Sequence, residues 1–302
     1  MLIVMERTAP LVSIGIPLYR SLRFIDIIVA NIEAIEYENV EFVVSDRHLS
    51  DNTLTLLQQK YGNDNRFRFL SGTDQLNWVE HFNLILRHAR GKYALWMAHD
   101  DSYPSNYIPD LVFALETHPD VVLAFGRVEQ VSLDGFLPTF PFVPPPIDPQ
   151  EEWSVGTSVR LLTLWQLWIA FRGVVRRDVI EQSNLYIRQT YRNVRADICW
   201  VFGLGLRGRL YYVPSCYCTK RFHRSSGGAD WRFGIRQSLN AYRVLCSYLN
   251  DYAAPTDESR RARIVLYLWC MVQGLLPAGF ARNLGIITRK MLLGRRRLRR
   301  VP

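Results

Sequence analysis

The sequence predicts an α/β fold with a mostly parallel sheet covered by helices on both faces. Three observations predict it. Short apolar runs alternate with helical patterns from residue 12 to about 126. The runs are apolar along their length, as strands buried on both faces are. Polar residues appear where the runs stop, and in such sheets ligands sit beyond the carboxyl ends of the strands.

The elements follow in order. Val12-Ser-Ile-Gly-Ile-Pro17 is a buried strand ending in proline. A helix is expected over about Leu22 to Ile35, with Phe24, Ile27, Ile28 and Ile32 as its apolar stripe. Glu41 to Ser45 is the next strand, and Asp51 caps a helix carrying Leu54, Leu56 and Leu57. Arg66 to Leu70 alternates as a strand does. Trp78 to Ala89 reads as a helix stopped by Gly91. Tyr93 to Met97 and Val121 to Phe125 are apolar strands. Six prolines between Pro138 and Pro149 predict a stiff, extended connector. A tryptophan-rich helix is expected over Thr157 to Phe171. Asp197 to Leu206 is a helix ended by Gly208, and Arg209 to Val213 a strand. Beyond a loop at Ser225 to Gly228, helices run from about Trp231 to Asn250 and again from Glu258.

The chain has 302 residues, of which 48% are hydrophobic and 22% charged, which excludes a disordered, collagenous or disulfide-scaffold protein. The net charge of +9 is unevenly placed. From Gly279 to Pro302 there are eight basic residues and no acid, so subtracting this +8 from +9 leaves +1 for the first 278 residues. A nearly neutral body does not read as a nucleic-acid surface. The five cysteines, an odd number without a paired framework, suit a reducing compartment. Cys216-Tyr-Cys218 lacks the second pair that a zinc site needs. The apolar stretch at Met1 to Met5 is too short for a signal-peptide core. These features predict a cytoplasmic protein.

Asp100 and Asp101 directly follow an apolar strand. Adjacent carboxylates repel unless a cation or donors compensate. Mg²⁺ or Mn²⁺ suits such oxygen ligands and would neutralise a diphosphate; a helix N-cap is the alternative reading of the pair.

The ordered set Val12 to Tyr19, Val43-Val-Ser-Asp46 with Ser50-Asp51, Asn83, Ala89-Arg-Gly-Lys-Tyr93 and His99-Asp100-Asp101 resembles the nucleotide-sugar-binding half of family 2 glycosyltransferases. The likeness covers residues 10 to 126 closely. It continues loosely to about 226 through Gly173-Val-Val-Arg-Arg177, Arg195-Ala-Asp197, Gly208-Arg209 and Val213-Pro214. It implies the GT-A fold over residues 1–230, with a nucleotide-sugar-binding half at 10–126 and an acceptor half at 127–230. Residues 231–302 are left as a C-terminal helical, basic, membrane-associating segment. The resemblance also implies roles. Pro17 and Tyr19 match positions that hold base and ribose. Asp46 and Asp51 match the acids of the base-binding loop. Asp100 and Asp101 match the cluster that holds the metal and the ribose–diphosphate, and His223 matches a metal- or diphosphate-contacting histidine. Asp197 matches the general base of inverting members. Two positions depart from the pattern: Ala98 stands where an acid of Asp-x-Asp would, and Ala196 precedes the expected base.

The implied reaction is inverting, metal-dependent transfer of a sugar from a nucleotide-diphosphate sugar to a hydroxyl of a glycan or lipid-linked acceptor, in cell-surface polysaccharide synthesis. Two other functions stay open: a nucleotidyltransferase on a related sheet, and a noncatalytic membrane-associated scaffold. The 18 uncharged residues from Ile264 to Ala281 contain Gln273, Gly274, Pro277 and Gly279. They are expected as an interfacial or re-entrant helix, with the basic tail on anionic lipid at the inner face of the cell membrane. The alternatives are a core helix with a solvated tail, or a true span.

Overall fold

β1 (Val12–Leu18) and β2 (Val40–Asp46) are buried at every position, because their neighbours pair on both edges and helices cover both faces. The computed structural model describes residues 9–48, 51–135, 144–147, 151–164, 167–223 and 234–275. The remaining strands are β3 (Phe67–Leu70), β4 (Tyr93–Trp96), β5 (Val121–Ser132), β6 (Val174–Arg176) and β7 (Arg209–Phe222). They form one seven-stranded sheet in the order β3-β2-β1-β4-β6-β5-β7. Every pairing is parallel except those of β6, which runs against β4 and β5. The expected α/β fold with a mostly parallel sheet is therefore what forms.

The helices are α1 (Ile25–Glu33), α2 (Thr53–Tyr61), α3 (Trp78–His88), α4 (Tyr107–Thr117), α5 (Val155–Leu164), α6 (Arg177–Ser183), α7 (Ala196–Gly205), α8 (Ile235–Tyr252) and α9 (Asp257–Leu275). α3 begins with a capping box: the Asn77 side chain accepts from Val79 and Glu80, and Glu80 accepts from the Asn77 N–H. It lies so close to β1 that a Cβ on Gly15 would collide with Ile85 and Trp96. Only glycine permits that approach.

The sequence missed α4 and α6 and placed other boundaries differently. The expected helix over Thr157 to Phe171 ends as an α-helix at Leu164 and resumes as a 3-10 stretch at Leu167–Arg172. β7 runs to Phe222, well past Val213, because it pairs with the extended β5 through a bulge after Phe125. Cys216 and Cys218 are fully buried on it. Most of the proline-rich connector and the loop at Ser225 to Gly228 lie outside the described residues.

α8 and α9 share the core of the sheet domain. Leu245, Tyr248 and Leu249 of α8 and Leu266 and Cys270 of α9 are buried with Trp200 and Leu204 of α7. No helix among the described residues is long and apolar enough to cross a membrane. The expected uncharged segment is described only as far as Leu275.

Candidate active site

Parallel pairing brings the carboxyl ends of β1, β2 and β4 to one edge. Leu18 is in register with Asp46, and Gly15 with Trp96. The loop after β1 ties the three ends together. Arg20 turns it through the left-handed region at φ 51°. Ser21 Oγ then meets His99 Nδ1, and the Leu22 N–H donates to Asp51 Oδ2 at 3.0 Å. Arg23 reaches His223, 200 residues away, at 2.9 Å.

One end of this edge gathers Pro17, Tyr19, Asp46 and Asp51. Pro17 is buried within β1. The Tyr19 ring lies at the surface with the Arg47 guanidinium 3.9 Å from its centroid and the His48 ring at 5.4 Å. Asp46 is buried; its Oδ1 accepts from the His48 N–H at 2.8 Å, and its backbone carbonyl from Thr73 Oγ1. Asp46 Oδ2 has no hydrogen-bond partner among the described residues. Burial pushes this carboxyl above its ordinary pKa. Asp51 behaves differently. Burial opposes its charge, but hydrogen bonds from Thr53 Oγ1 at 2.8 Å and from the Leu22 N–H hold its pKa below the usual value. Asp51 therefore braces the loop and the start of α2 from the residue before the cap; the N-cap position expected of it is taken by Asn52, which makes no side-chain cap bond.

The acidic turn after β4 is clamped by Asn31 of α1, whose Nδ2 donates to the Asp101 carbonyl at 2.8 Å while its Oδ1 accepts from the Tyr103 N–H. The two carboxylates then diverge. Asp101, fully buried, accepts from Arg172 Nε at 2.7 Å, with Lys220 Nζ at 3.9 Å from its other oxygen. Asp100 Oδ2 lies 3.2 Å from His223 Nε2. Burial works against the Asp100 charge, but the bond from His223 and the field of Lys220 outweigh it and hold the carboxyl well below the usual range.

No three His, Cys, Asp or Glu side chains among the described residues are arranged to hold a metal ion by themselves. One ionised carboxylate is nevertheless a fitting partner for Mg²⁺ or Mn²⁺ when phosphate oxygens and water supply the rest of the shell, and Asp100 is such a carboxylate. His223 is placed to hold Asp100. A guanidinium can only donate, so the Arg23 contact makes Nδ1 an acceptor and leaves the proton on Nε2, facing Asp100. Direct ligation by His223 Nε2 would need the opposite tautomer.

Asp197 lies in the first turn of α7, behind Arg195 at φ 62°. Its Oδ1 is shielded from solvent and has no hydrogen-bond partner among the described residues. Burial raises its pKa, and the N–H groups of the helix start oppose that only in part. Arg172 acts electrostatically on Asp100 and Asp197 and is ion-paired to Asp101. It links the donor-side acids to the expected base.

Arg172, Lys220, Arg23 and Asn31 escaped the sequence reading. Only Arg172 left a signal: it is the single charged residue in the otherwise apolar run from Leu167 to Val175. Such a charge demands a buried partner.

The family model described as glycosyl transferase family 2 matches residues 13–166. An uncharacterized glycosyltransferase of Haemophilus influenzae is 29% identical over 125 residues, which is 41% of this chain and 38% of that protein. The chain thus matches well under half the length of that curated relative. Among solved structures, S. aureus TarS in complex with UDP-GlcNAc superposes with a TM-score of 0.65 at 16% identity, over 86% of this chain and 72% of that one. The mannosyltransferase PcManGT from Pyrobaculum calidifontis, in complex with GDP-Man and Mn²⁺, gives a TM-score of 0.53 over 93% of this chain and 81% of that one.

Proposed function

We propose, from the premise that the chain belongs to glycosyl transferase family 2, that it moves a sugar from a nucleotide-diphosphate sugar to a hydroxyl of a glycan or lipid-linked acceptor, inverting the anomeric centre. Three buried carboxylate oxygens have no hydrogen-bond partner among the described residues, Asp46 Oδ2, Asp101 Oδ1 and Asp197 Oδ1. Asp101 is ion-paired to Arg172, and the observation that carries this reading is the other two, which take part in no ion pair among the described residues. Buried acceptors of this kind are rare unless a ligand completes them.

Each acceptor fits a different donor. Asp46, beside the exposed Tyr19 ring, accepts an N–H from the nucleotide base while Tyr19 packs against base or ribose. Asp197 accepts the proton of the attacking hydroxyl. A carboxylate whose pKa is raised toward neutrality is a better base than an ordinary one. As that proton moves, the oxygen bonds to the anomeric carbon from the face opposite the nucleoside diphosphate, which leaves with the electrons of the broken bond. Asp100 would hold Mg²⁺ or Mn²⁺, whose charge stabilises the leaving diphosphate when bound. His223 and Arg23 keep Asp100 ionised and oriented. Asp101 acts through its pairing with Arg172, positioning the acidic turn. Two fold neighbours support this reading, one in complex with UDP-GlcNAc and the other with GDP-Man and Mn²⁺.

The reaction is assigned to cell-surface polysaccharide assembly at the inner, anionic face of the membrane, a placement supported by the +8 tail. Thermal shift against UDP-, GDP- and dTDP-sugars, with and without Mn²⁺, tests the donor reading. At least one donor should stabilise the protein, more so with Mn²⁺, and Asp46→Asn should weaken it. A protein stabilised by none of them does not carry this activity.

A further inference from the structure

α9 is apolar on both of its faces, and only one is covered. Ser259, Ala262, Leu266 and Cys270 point inward and are buried. At 100° per residue, Ile264, Leu268, Val272 and Leu275 fall on the opposite side. Their exposures are 62%, 57%, 37% and 68%. The patch broadens at the far end of the helix. Gly274 packs against Ser238 and Ile235, and α8 adds exposed Ile235 and Leu239 there. Past Leu275 the chain continues into 27 residues with eight basic side chains and no acid.

We infer that this outward face of α9, with the start of α8, docks onto the surface of an anionic lipid bilayer. A contiguous apolar stripe left uncovered on a soluble domain marks a contact site. Charge selects the occupant. The described helix is too polar to span a membrane. A helix with one apolar face left uncovered, followed by a dense run of arginines, has the two components of interfacial binding: apolar side chains at the acyl boundary and cations on the headgroups. A second copy of the chain would bring two such tails together and pay their mutual repulsion. The inference deepens the membrane placement in the proposed function and rests on that reading only for what the enzyme does once docked.

The test uses the full chain and vesicles of phosphatidylcholine alone or with about one-third phosphatidylserine, an anionic fraction large enough to set up the surface potential. Wild-type protein should sediment with the anionic vesicles at low salt and release as salt rises. The triple variant I264S/L268S/V272S should bind them at least about tenfold more weakly at an unchanged melting temperature, since buried apolar area adds to the electrostatic attraction. Replacing Arg295, Arg296 and Arg297 by Gln should weaken binding independently. Three results overturn the inference: no vesicle binding by wild type, binding unaffected by the serine variant, or a wild-type dimer that the serine variant dissolves without altering vesicle binding. A lowered melting temperature in the serine variant with vesicle binding intact would show that the chain's own tail covers the stripe, and would overturn it too. Nucleotide-sugar stabilisation is measured on the same samples. Vesicle binding without it removes the donor reading and leaves the docking face, and the converse removes only the docking face.

Discussion

Replacing Arg172 by Met tests how the acidic turn is held. Asp101 is fully buried, and one of its oxygens depends on the Arg172 Nε at 2.7 Å. Lys220, at 3.9 Å from the other oxygen, is too distant for a hydrogen bond. Methionine fills the space of the arginine stem but leaves the carboxylate buried without its main counter-charge. Breaking a buried pair from one side costs about 3–5 kcal/mol, a large share of the roughly 5–15 kcal/mol that stabilises a typical domain. Asp101→Asn alone strands the guanidinium and should cost about 2–3 kcal/mol. In the double variant neither charge is stranded, so it should be more stable than the sum of the singles predicts, by about 2–3 kcal/mol. Urea denaturation followed by circular dichroism measures all four proteins, with midpoints falling at constant slope. Singles that add within about 0.5 kcal/mol would refute the reasoning, because the two residues would then not be coupled.

Two further predictions follow from titration. In the proposed reaction ionised Asp197 is the base, and burial raises its pKa, so the turnover rate should climb with pH through a value above the ordinary carboxylate range; Asp197→Asn should abolish that limb and slow transfer by about 10²–10⁴, and a variant with unchanged rate and profile disproves the base assignment. His81 is buried against Ser45 at 2.7 Å, and burial, then the charge of Arg47, lower its pKa from 6.5 to about 4. A histidine depressed in the folded state costs stability as pH falls from its unfolded pKa toward its folded one, so about 2 kcal/mol should be lost between neutrality and about pH 5. His81→Gln, which can keep the Ser45 bond, should show that much less acid sensitivity in denaturation curves; an equal sensitivity would mean that other groups dominate.

Strand positions and acidic strand ends were legible because each is a local signal. An apolar run such as Val12 to Leu18 can only be a buried strand or a short buried helix, and the alternation of runs with helical patterns decides for a parallel sheet. Asp46 and Asp100 stand out by ending such runs, and the family resemblance assigns them a side of the sheet. The partners of those acids were not legible. Arg172 meets Asp101 across 71 positions, Arg23 meets His223 across 200, and Asn31 clamps the acidic turn from α1. No periodicity in a chain reports a pairing between side chains on elements that only folding brings together.

The C-terminal helix divides in the same way. From residues alone, the uncharged segment after Arg263 and the +8 tail were plain, and so was a net charge that belongs to the tail and not to the body. Which face of that helix would be buried could not be read, because both faces carry apolar side chains and hydrophobicity has no direction. The tertiary structure decided it. Ser259, Ala262, Leu266 and Cys270 include the small side chains that allow close packing on α8 and α5, whereas Ile264, Leu268 and Leu275 point outward. Sequence by itself determined the fold class, the strand-end acids and the placement of charge. Packing alone determined which carboxylates are paired with cations and which are buried with no ion pair among the described residues.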